Sequence, residues 1–130
     1  MKIEKTYELP FPVQTVYEAW VSSNTVIAPA TAMEVDPQVG GVYRLIMETP
    51  DFTGKNEGAF TRVEPGSRVT YTWEWNNDGE VTTIDVQFSA SGSGTRVDLV
   101  HEGFISPDSV ANHDTGWDSY IEGFLNHLSS

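Results

Sequence analysis

The amino-acid sequence predicts an α+β fold, in which a curved antiparallel β-sheet of about six to seven strands grips a long C-terminal helix. Segments that alternate polar and apolar residues fill most of the region from residue 33 to residue 104. Segments with helical spacing of apolar residues lie before and after that region. A run of strands with helices segregated to either side is typical of α+β domains.

The first strand and the first helix precede this region. Residues 2–9 alternate, which places Ile3, Lys5, Tyr7 and Leu9 on one face of a strand. Pro10 and Pro12 end that strand, and a proline near a first helical position suits a helix start. Helical spacing then predicts a helix of about three turns with this apolar face: Val13, Val16, Tyr17 and Trp20. We expect one or two short helices here, before the turn-rich stretch SSNTVIAPATA.

Short turns separate the predicted central strands. The stretch NEGAFTRVEPGSRVTYTWEW indicates a hairpin, and residues 64–67 suit a type I or type II turn with Pro65 in the favoured place. Asp78-Gly79 is a second hairpin signal. The run SGSGT resembles a phosphate loop, but it joins two strands with no helix after it, so we interpret it as a hairpin turn.

The last helix has a clear start signal. Ser106 can cap it, Pro107 suits its first position, and Asp108 places an acid in its first turn. Apolar residues then recur at intervals of three and four: Trp117, Tyr120, Ile121, Phe124, Leu125 and Leu128. This periodicity predicts an amphipathic helix.

Three polar or small residues interrupt that helix. Gly116 costs about 1 kcal/mol relative to alanine, which predicts a close contact with a strand or a bulky side chain, or a bend. Asp114 and Asp118 lie four residues apart, where like charges repel mildly, so we expect them on a solvated face.

Composition limits the class of protein. The 130 residues favour one domain, residues 1–130. Seven Lys and Arg against 19 Asp and Glu give a formal charge of −12, which disfavours nucleic acids and anionic membranes as partners. There is no cysteine, so disulfides and thiolate chemistry are excluded. Without a signal-peptide pattern or an apolar stretch of about 20 residues, we expect a cytoplasmic protein without membrane insertion.

Four stretches together carry a family resemblance: FPVQTVYEAW, GGVYRLIM, RVTYTWEW, and GTRVDLVHEGF followed by HDTGWDSYIEGFLNHL. They span almost the whole chain. The sequence resembles the SRPBCC, or START-like, superfamily with its helix-grip fold, and within it the family named after the activator of the Hsp90 ATPase. Family members usually carry tryptophan soon after the first helix, where this chain has SSNTVIAPATAM instead.

The resemblance implies a hydrophobic cavity between the sheet and the C-terminal helix. Relatives use that cavity for lipids, polyketides, plant hormones or small aromatic molecules, and a few are enzymes. The missing tryptophans normally help to close one end of the cavity, so their absence favours a more open mouth. The co-chaperone role of one branch depends on an additional N-terminal domain.

Two histidines are the candidate polar groups of such a cavity. His101 shares a strand face with Val97 and Leu99, so it would point inward, where it could donate, accept or shuttle a proton. His113 lies four residues before Trp117 on the last helix and could face His101. The structural alternatives are a buried histidine satisfied by its neighbours and a surface histidine making a local cap.

A set of mostly aromatic residues is expected to form the cavity wall with these histidines: Tyr43, Met47, Phe60, Tyr71, Trp73, Trp75, Phe88, Trp117 and Tyr120. The alternative is that these side chains fill the core and leave no cavity. Metal-ligand spacings and a nucleophile motif are absent, so we predict no metal site and no cofactor.

Three classes of function therefore remain. The first is binding of a hydrophobic or aromatic small molecule, without catalysis. The second is an enzyme of cyclase, dehydratase or hydrolase type that uses the histidines as acid and base. The third is an interaction module that forms a homodimer or regulates a chaperone, which predicts an exposed apolar patch.

Overall fold

The computed structural model describes residues 1–130 and contains one seven-stranded sheet and two helices. In chain order the elements are β1 (Lys2–Leu9), α1 (Val13–Trp20), β2 (Ala32–Val35), β3 (Val42–Thr49), β4 (Phe52–Glu64), β5 (Arg68–Trp75), β6 (Thr82–Ser91), β7 (Gly94–Glu102) and α2 (Pro107–Leu128). All neighbouring strands are antiparallel, in the order β1-β7-β6-β5-β4-β3-β2. The predicted fold class, an open antiparallel sheet with a long C-terminal helix, is confirmed.

Two of the three predicted turns have the expected form. Gly66 has φ +76° and the Ser67 amide donates to the Glu64 carbonyl at 2.9 Å, which defines a type II turn. Gly92 has φ +61° in the tight turn between β6 and β7. The expected hairpin at residues 78–79 is instead a longer loop, residues 76–81, because Asn76 and Asn77 also adopt positive φ.

Helix α1 covers one end of the sheet's inner face. It has 8 residues, so it is shorter than the predicted three turns, and it is the only helix before β2. Trp20 and Tyr17 are buried and meet the ring of Phe88 edge-on, with centroids 5.7 and 5.4 Å apart. The space beneath α1 is therefore filled core.

Strand β4 contains the sheet's irregularity. The pairing with β5 shifts register between Phe60 and Arg62, which indicates a β-bulge. At Gly58 a Cβ atom would overlap the carbonyl group of Thr72 on β5. Only glycine permits this close approach of the two strands.

Helix α2 packs tightly at its C-terminal half alone. Ile121 and Phe124 are buried, and a Cβ at Gly123 would overlap the Ile27 side chain. A Cβ at Gly116 would meet nothing within 4 Å, so the prediction of a close contact at Gly116 is wrong. The glycine with that role is Gly123. Neither helix combines the length and apolar composition that crossing a bilayer requires.

One cluster of charges fastens α2 to the edge strand β1. Lys5 forms ion pairs with Asp114 and with Asp118, the latter at 3.1 Å, and the Tyr7 hydroxyl donates to Asp118 at 2.9 Å. The two aspartates therefore do not form the purely solvated face that their spacing suggested. Hydrogen bonds from Lys5 and Tyr7 lower the pKa of the Asp118 carboxyl below its ordinary value.

Candidate functional site: an aromatic cavity between the sheet and helix α2

A cavity of about 750 Å³ lies between the N-terminal half of α2 and strands β3 to β5. The sheet contributes mainly apolar residues to its wall: Tyr43, Leu45, Met47, Asn56, Tyr71, Trp73, Trp75 and Thr82. Helix α2 contributes residues from its first four turns, from Asp108 to Tyr120. Several wall residues, including Asp108 and Asn112, are solvent-exposed, so the cavity opens to solvent.

The alternating stripe of β5 runs from the filled core into the cavity. Val69 and Tyr71 are buried, whereas Trp73 and Trp75 on the same face are only partly buried. Tyr71 stacks on Tyr43 with ring centroids 4.2 Å apart, and it accepts a hydrogen bond from the Trp20 indole at 3.3 Å. The two tyrosines thus separate the filled core beneath α1 from the cavity.

The structure brings eight of the eleven sequence-predicted site residues into the wall: Tyr43, Met47, Tyr71, Trp73, Trp75, His113, Trp117 and Tyr120. Phe60, Phe88 and His101 are not among the wall residues. All three side chains are buried in the protein, but they do not line the cavity, so their predicted place in its wall is wrong. A role of the eight in binding a ligand stays a prediction.

Phe60 and Phe88 belong to the core beneath α1. Phe88 packs against Tyr17 and Trp20 of that helix, and Phe60 packs edge-on against Tyr71 with centroids 5.5 Å apart. Strand alternation placed both on the correct face of the sheet. It could not show that α1 fills that end of the face while the other end stays open.

His101 lies one hydrogen bond away from the cavity. Its side chain is completely buried, and the Trp117 indole donates to its Nδ1 at 3.1 Å. An indole nitrogen can only donate, so the histidine proton lies on Nε2. Nε2 then donates to Thr82 Oγ1 at 2.7 Å, and the Thr82 hydroxyl donates to the Trp73 carbonyl at 3.0 Å.

This chain of hydrogen bonds connects the buried His101 ring to the cavity wall without exposing the ring to the cavity. Both ring nitrogens are occupied, and all three partners, Trp73, Thr82 and Trp117, line the cavity. Burial, together with a smaller effect of the neighbouring His113, lowers the pKa of His101 to about 3. The neutral ring therefore holds one side of the wall in place near neutral pH.

His113 is the histidine that faces the cavity. Its Nδ1 donates to the Ser109 carbonyl at 2.8 Å, which leaves Nε2 without a hydrogen bond in the protein. Its ring lies edge-on to His101, with centroids 5.1 Å apart. The predicted juxtaposition of the two histidines is thus present, with His113 on the cavity side.

The polar wall residues include three carboxylates, and they include no Lys or Arg. Asp78, Glu80 and Asp108 line the cavity. Glu80 accepts hydrogen bonds from the Ser109 hydroxyl and from the Ile105 amide, and these bonds lower its pKa below the ordinary value. It thereby joins the β5–β6 loop to the start of α2.

Sequence reasoning missed two kinds of wall residue. Ile27, Ala28 and Pro29 belong to the stretch SSNTVIAPATAM, which lacks the tryptophan usual in the family, and they form part of the wall. Asn56 could have been inferred, because it alternates with Gly54 and Gly58 on β4 and pairs with both Leu45 and Trp75. The wall contains two buried polar atoms without partners, Asn56 Oδ1 and Trp73 Nε1.

The sheet order, the long C-terminal helix and the cavity between them define a helix-grip protein of the SRPBCC, or START-like, superfamily. Residues 10–129 match the family described as Activator of Hsp90 ATPase homolog 1-like protein. The chain belongs to this family. No curated protein sequence matches it.

Solved structures share the fold over nearly the whole chain. Protein CV1439 from Chromobacterium violaceum is 20% identical with a TM-score of 0.83, and the match covers 99% of this chain and 97% of that one. The AHSA1-like protein from Aeromonas hydrophila is 25% identical with a TM-score of 0.82, and 99% and 92% are covered. DynU16, from the dynemicin biosynthetic locus, is 18% identical with a TM-score of 0.82, and the match covers 99% of this chain but 47% of DynU16.

Proposed function

We propose that the protein binds an apolar or aromatic small molecule in the cavity between α2 and strands β3 to β5. The observation that carries this proposal is the open space of about 750 Å³ walled by aromatic residues from both the sheet and the helix. Ligand pockets of roughly 300–1,000 Å³ with mostly apolar walls and a few polar groups are typical of small-molecule sites. A cytoplasmic location is part of the same proposal.

Gly116 gives independent support. A glycine inside a helix lowers helix stability by about 1 kcal/mol relative to alanine, and here no close packing accounts for it. Gly116 lines the cavity, and any larger side chain would project into open space. The glycine therefore favours an accessible cavity at the expense of helix stability.

Filling the cavity at this position tests the proposal. We expect Gly116→Leu to raise the melting temperature, because it improves helix propensity without a clash. The same change should abolish the thermal stabilisation that small aromatic molecules, fatty acids or isoprenoids give the wild-type protein. Native mass spectrometry of the purified protein would also show a co-purified ligand and its loss in the variant.

Thr115→Leu provides the matched control, because Thr115 is exposed on the same helix and does not line the cavity. It should keep the response to ligands. Equal ligand responses in wild type, Gly116→Leu and Thr115→Leu would place binding outside this cavity and contradict the proposal. The dimer and chaperone alternatives remain predictions. The same mass spectra would give the oligomeric state and thereby test the dimer.

The acid–base alternative depends on His113. Proton transfer to a cavity ligand requires a ring nitrogen within hydrogen-bond reach of that ligand. Both nitrogens of His101 are engaged with Thr82 and Trp117, whereas Nε2 of His113 is free. An enzyme built on this cavity would therefore use His113 and not His101.

A further inference from the structure

Three carboxylates lie at the end of the cavity that opens to solvent. Glu80 of the β5–β6 loop accepts hydrogen bonds from the Ile105 amide and the Ser109 hydroxyl, so this loop and the first turn of α2 lie side by side. Asp78 comes from the same loop and Asp108 from the first turn of α2, and both are exposed residues of the wall. The deep end of the cavity, by contrast, is closed by buried tyrosine rings.

These carboxylates have no positively charged partner in the protein. All seven Lys and Arg side chains form ion pairs with other carboxylates, and none of the seven lines the cavity. Hydrogen bonds from Ser109 and Ile105 lower the pKa of the Glu80 carboxyl, which keeps this group ionised. The negative charge of all three groups is therefore balanced only by solvent ions or by a ligand.

His113 is the one wall residue that can carry a positive charge, and it does not reverse this balance. A protonated ring would place one positive charge against three negative charges. In the neutral ring, Nδ1 donates to the Ser109 carbonyl, so Nε2 holds the lone pair and can only accept a hydrogen bond. A neutral His113 therefore suits a ligand that donates an N–H.

An indole ring lines the cavity next to these carboxylates. Trp75 is the last residue of β5, and its carbonyl accepts a hydrogen bond from the Asp78 amide at 2.8 Å. Tryptophan attracts cations to its ring face more strongly than the other aromatic side chains do, and this attraction grows when the cation is desolvated. No group of three acidic or histidine side chains is arranged to hold a metal ion, so an organic cation suits this end of the cavity better than a metal.

We propose that the ligand of this cavity is an organic cation, namely an apolar molecule that carries one amine or quaternary ammonium group. The charged group lies at the open end, beside Asp78, Asp108 and the Trp75 ring. The apolar body lies at the deep end, against Tyr43 and Tyr71, which separate the cavity from the core. This inference rests on the function proposed above and names its ligand class: the aromatic cavity forms the site, and the carboxylates select the charge.

Three naphthalenes substituted at the same ring position test this inference: naphthalenemethylamine, naphthalenemethanol and naphthoate. At neutral pH they are a cation, a neutral molecule and an anion of similar shape. Calorimetric titration of the intact protein should show the amine binding roughly tenfold more tightly than the alcohol, and naphthoate binding several-fold more weakly. Added NaCl should reduce the difference between the amine and the alcohol, because salt screens the attraction.

Variants separate the carboxylates of the cavity from the general negative charge of the protein. Asp78→Asn with Asp108→Asn should reduce the preference for the amine to about twofold. Glu8→Gln with Glu122→Gln is the matched control, because it removes the same charge from exposed positions outside the cavity, and the preference should persist.

Two further variants test where the amine binds and which group selects it. Gly116→Leu fills the cavity and should abolish binding of all three compounds, so amine binding that survives in this variant would reflect attraction to the acidic surface and overturn the inference. His113→Gln removes the one possible cation of the wall and should keep the order of the three compounds. If naphthoate binds most tightly to the wild-type protein and loses this advantage in His113→Gln, the histidine selects the charge and the inference is wrong.

The two proposals fail in different ways. If the amine and the alcohol bind equally, and Gly116→Leu abolishes both, the charge selection is overturned while the cavity function stands. If none of the three compounds binds the wild-type protein, both proposals fail.

Discussion

At the residue scale, His101 shows how a buried polar side chain can serve the cavity without touching a ligand. Its ring joins Trp117 of the helix to Thr82 of the sheet, and Thr82 continues to the Trp73 carbonyl. Because every donor and acceptor in this chain has one partner, the tautomer is fixed. The histidine thereby orients the Trp117 indole in the wall.

The pH dependence of stability follows from this buried ring. Below the ordinary pKa of 6.5 the unfolded chain binds a proton at His101, whereas the folded protein binds it only near pH 3. The free energy of unfolding therefore falls as the pH drops through that window, by up to about 1.4 kcal/mol per pH unit. His113 and Glu80 are the titratable neighbours that modify this slope.

We expect the wild-type protein to be about 2 kcal/mol less stable to urea at pH 5 than at pH 7. His101→Phe removes the titrating group, so its difference between the two pH values should be much smaller, whatever its absolute stability. His127→Gln, at an exposed histidine in the last turn of α2, should keep the wild-type difference. An unchanged pH slope in His101→Phe would contradict this account.

At the element scale, α2 is fastened to β1 by Lys5, whose side chain is only 19% exposed between two aspartates. We expect Lys5→Met to lower the free energy of unfolding by about 1 kcal/mol, because Asp114 and Asp118 would then repel one turn apart. Chemical denaturation measures this loss. Adding Asp114→Asn should recover part of it, while Lys2→Met at an exposed pair should change little.

Alternation and spacing predicted the elements and most of the wall, because the inner face of a strand and the apolar face of a helix are periodic properties of the sequence. Tyr43, Trp73 and Trp117 were assigned to the wall in this way. Phe88 was wrongly placed in the cavity wall because α1, which is distant in sequence, fills the space in front of it. The role of Gly116 could not be predicted either, since a glycine indicates equally a close contact or an empty space.

At the scale of the whole molecule, negative charges far outnumber positive charges. All seven cations are in ion pairs, and the remaining carboxylates leave a net charge of −12. Repulsion among like charges destabilises a compact state and is screened by salt. The folded protein should therefore tolerate high ionic strength well.

We expect the melting temperature to rise by several degrees when NaCl is increased from about 0.05 to about 0.5 M, with KCl giving the same result. Scanning calorimetry or fluorescence measures this shift. The Glu8→Gln, Glu122→Gln variant has less repulsion to screen, so its rise should be smaller. A fall in melting temperature with salt would instead show that the ion pairs outweigh the repulsion.

The two halves of α2 differ in what holds them. From Ile121 onward the helix is anchored by buried side chains and by the close contact at Gly123. From Pro107 to His113 the helix has one side-chain hydrogen bond to the rest of the protein, which joins Ser109 to Glu80 of the β5–β6 loop. The part of α2 with the fewest buried anchors is therefore also the part that lines the cavity, and we expect it to open locally at a lower free energy than the rest of the helix.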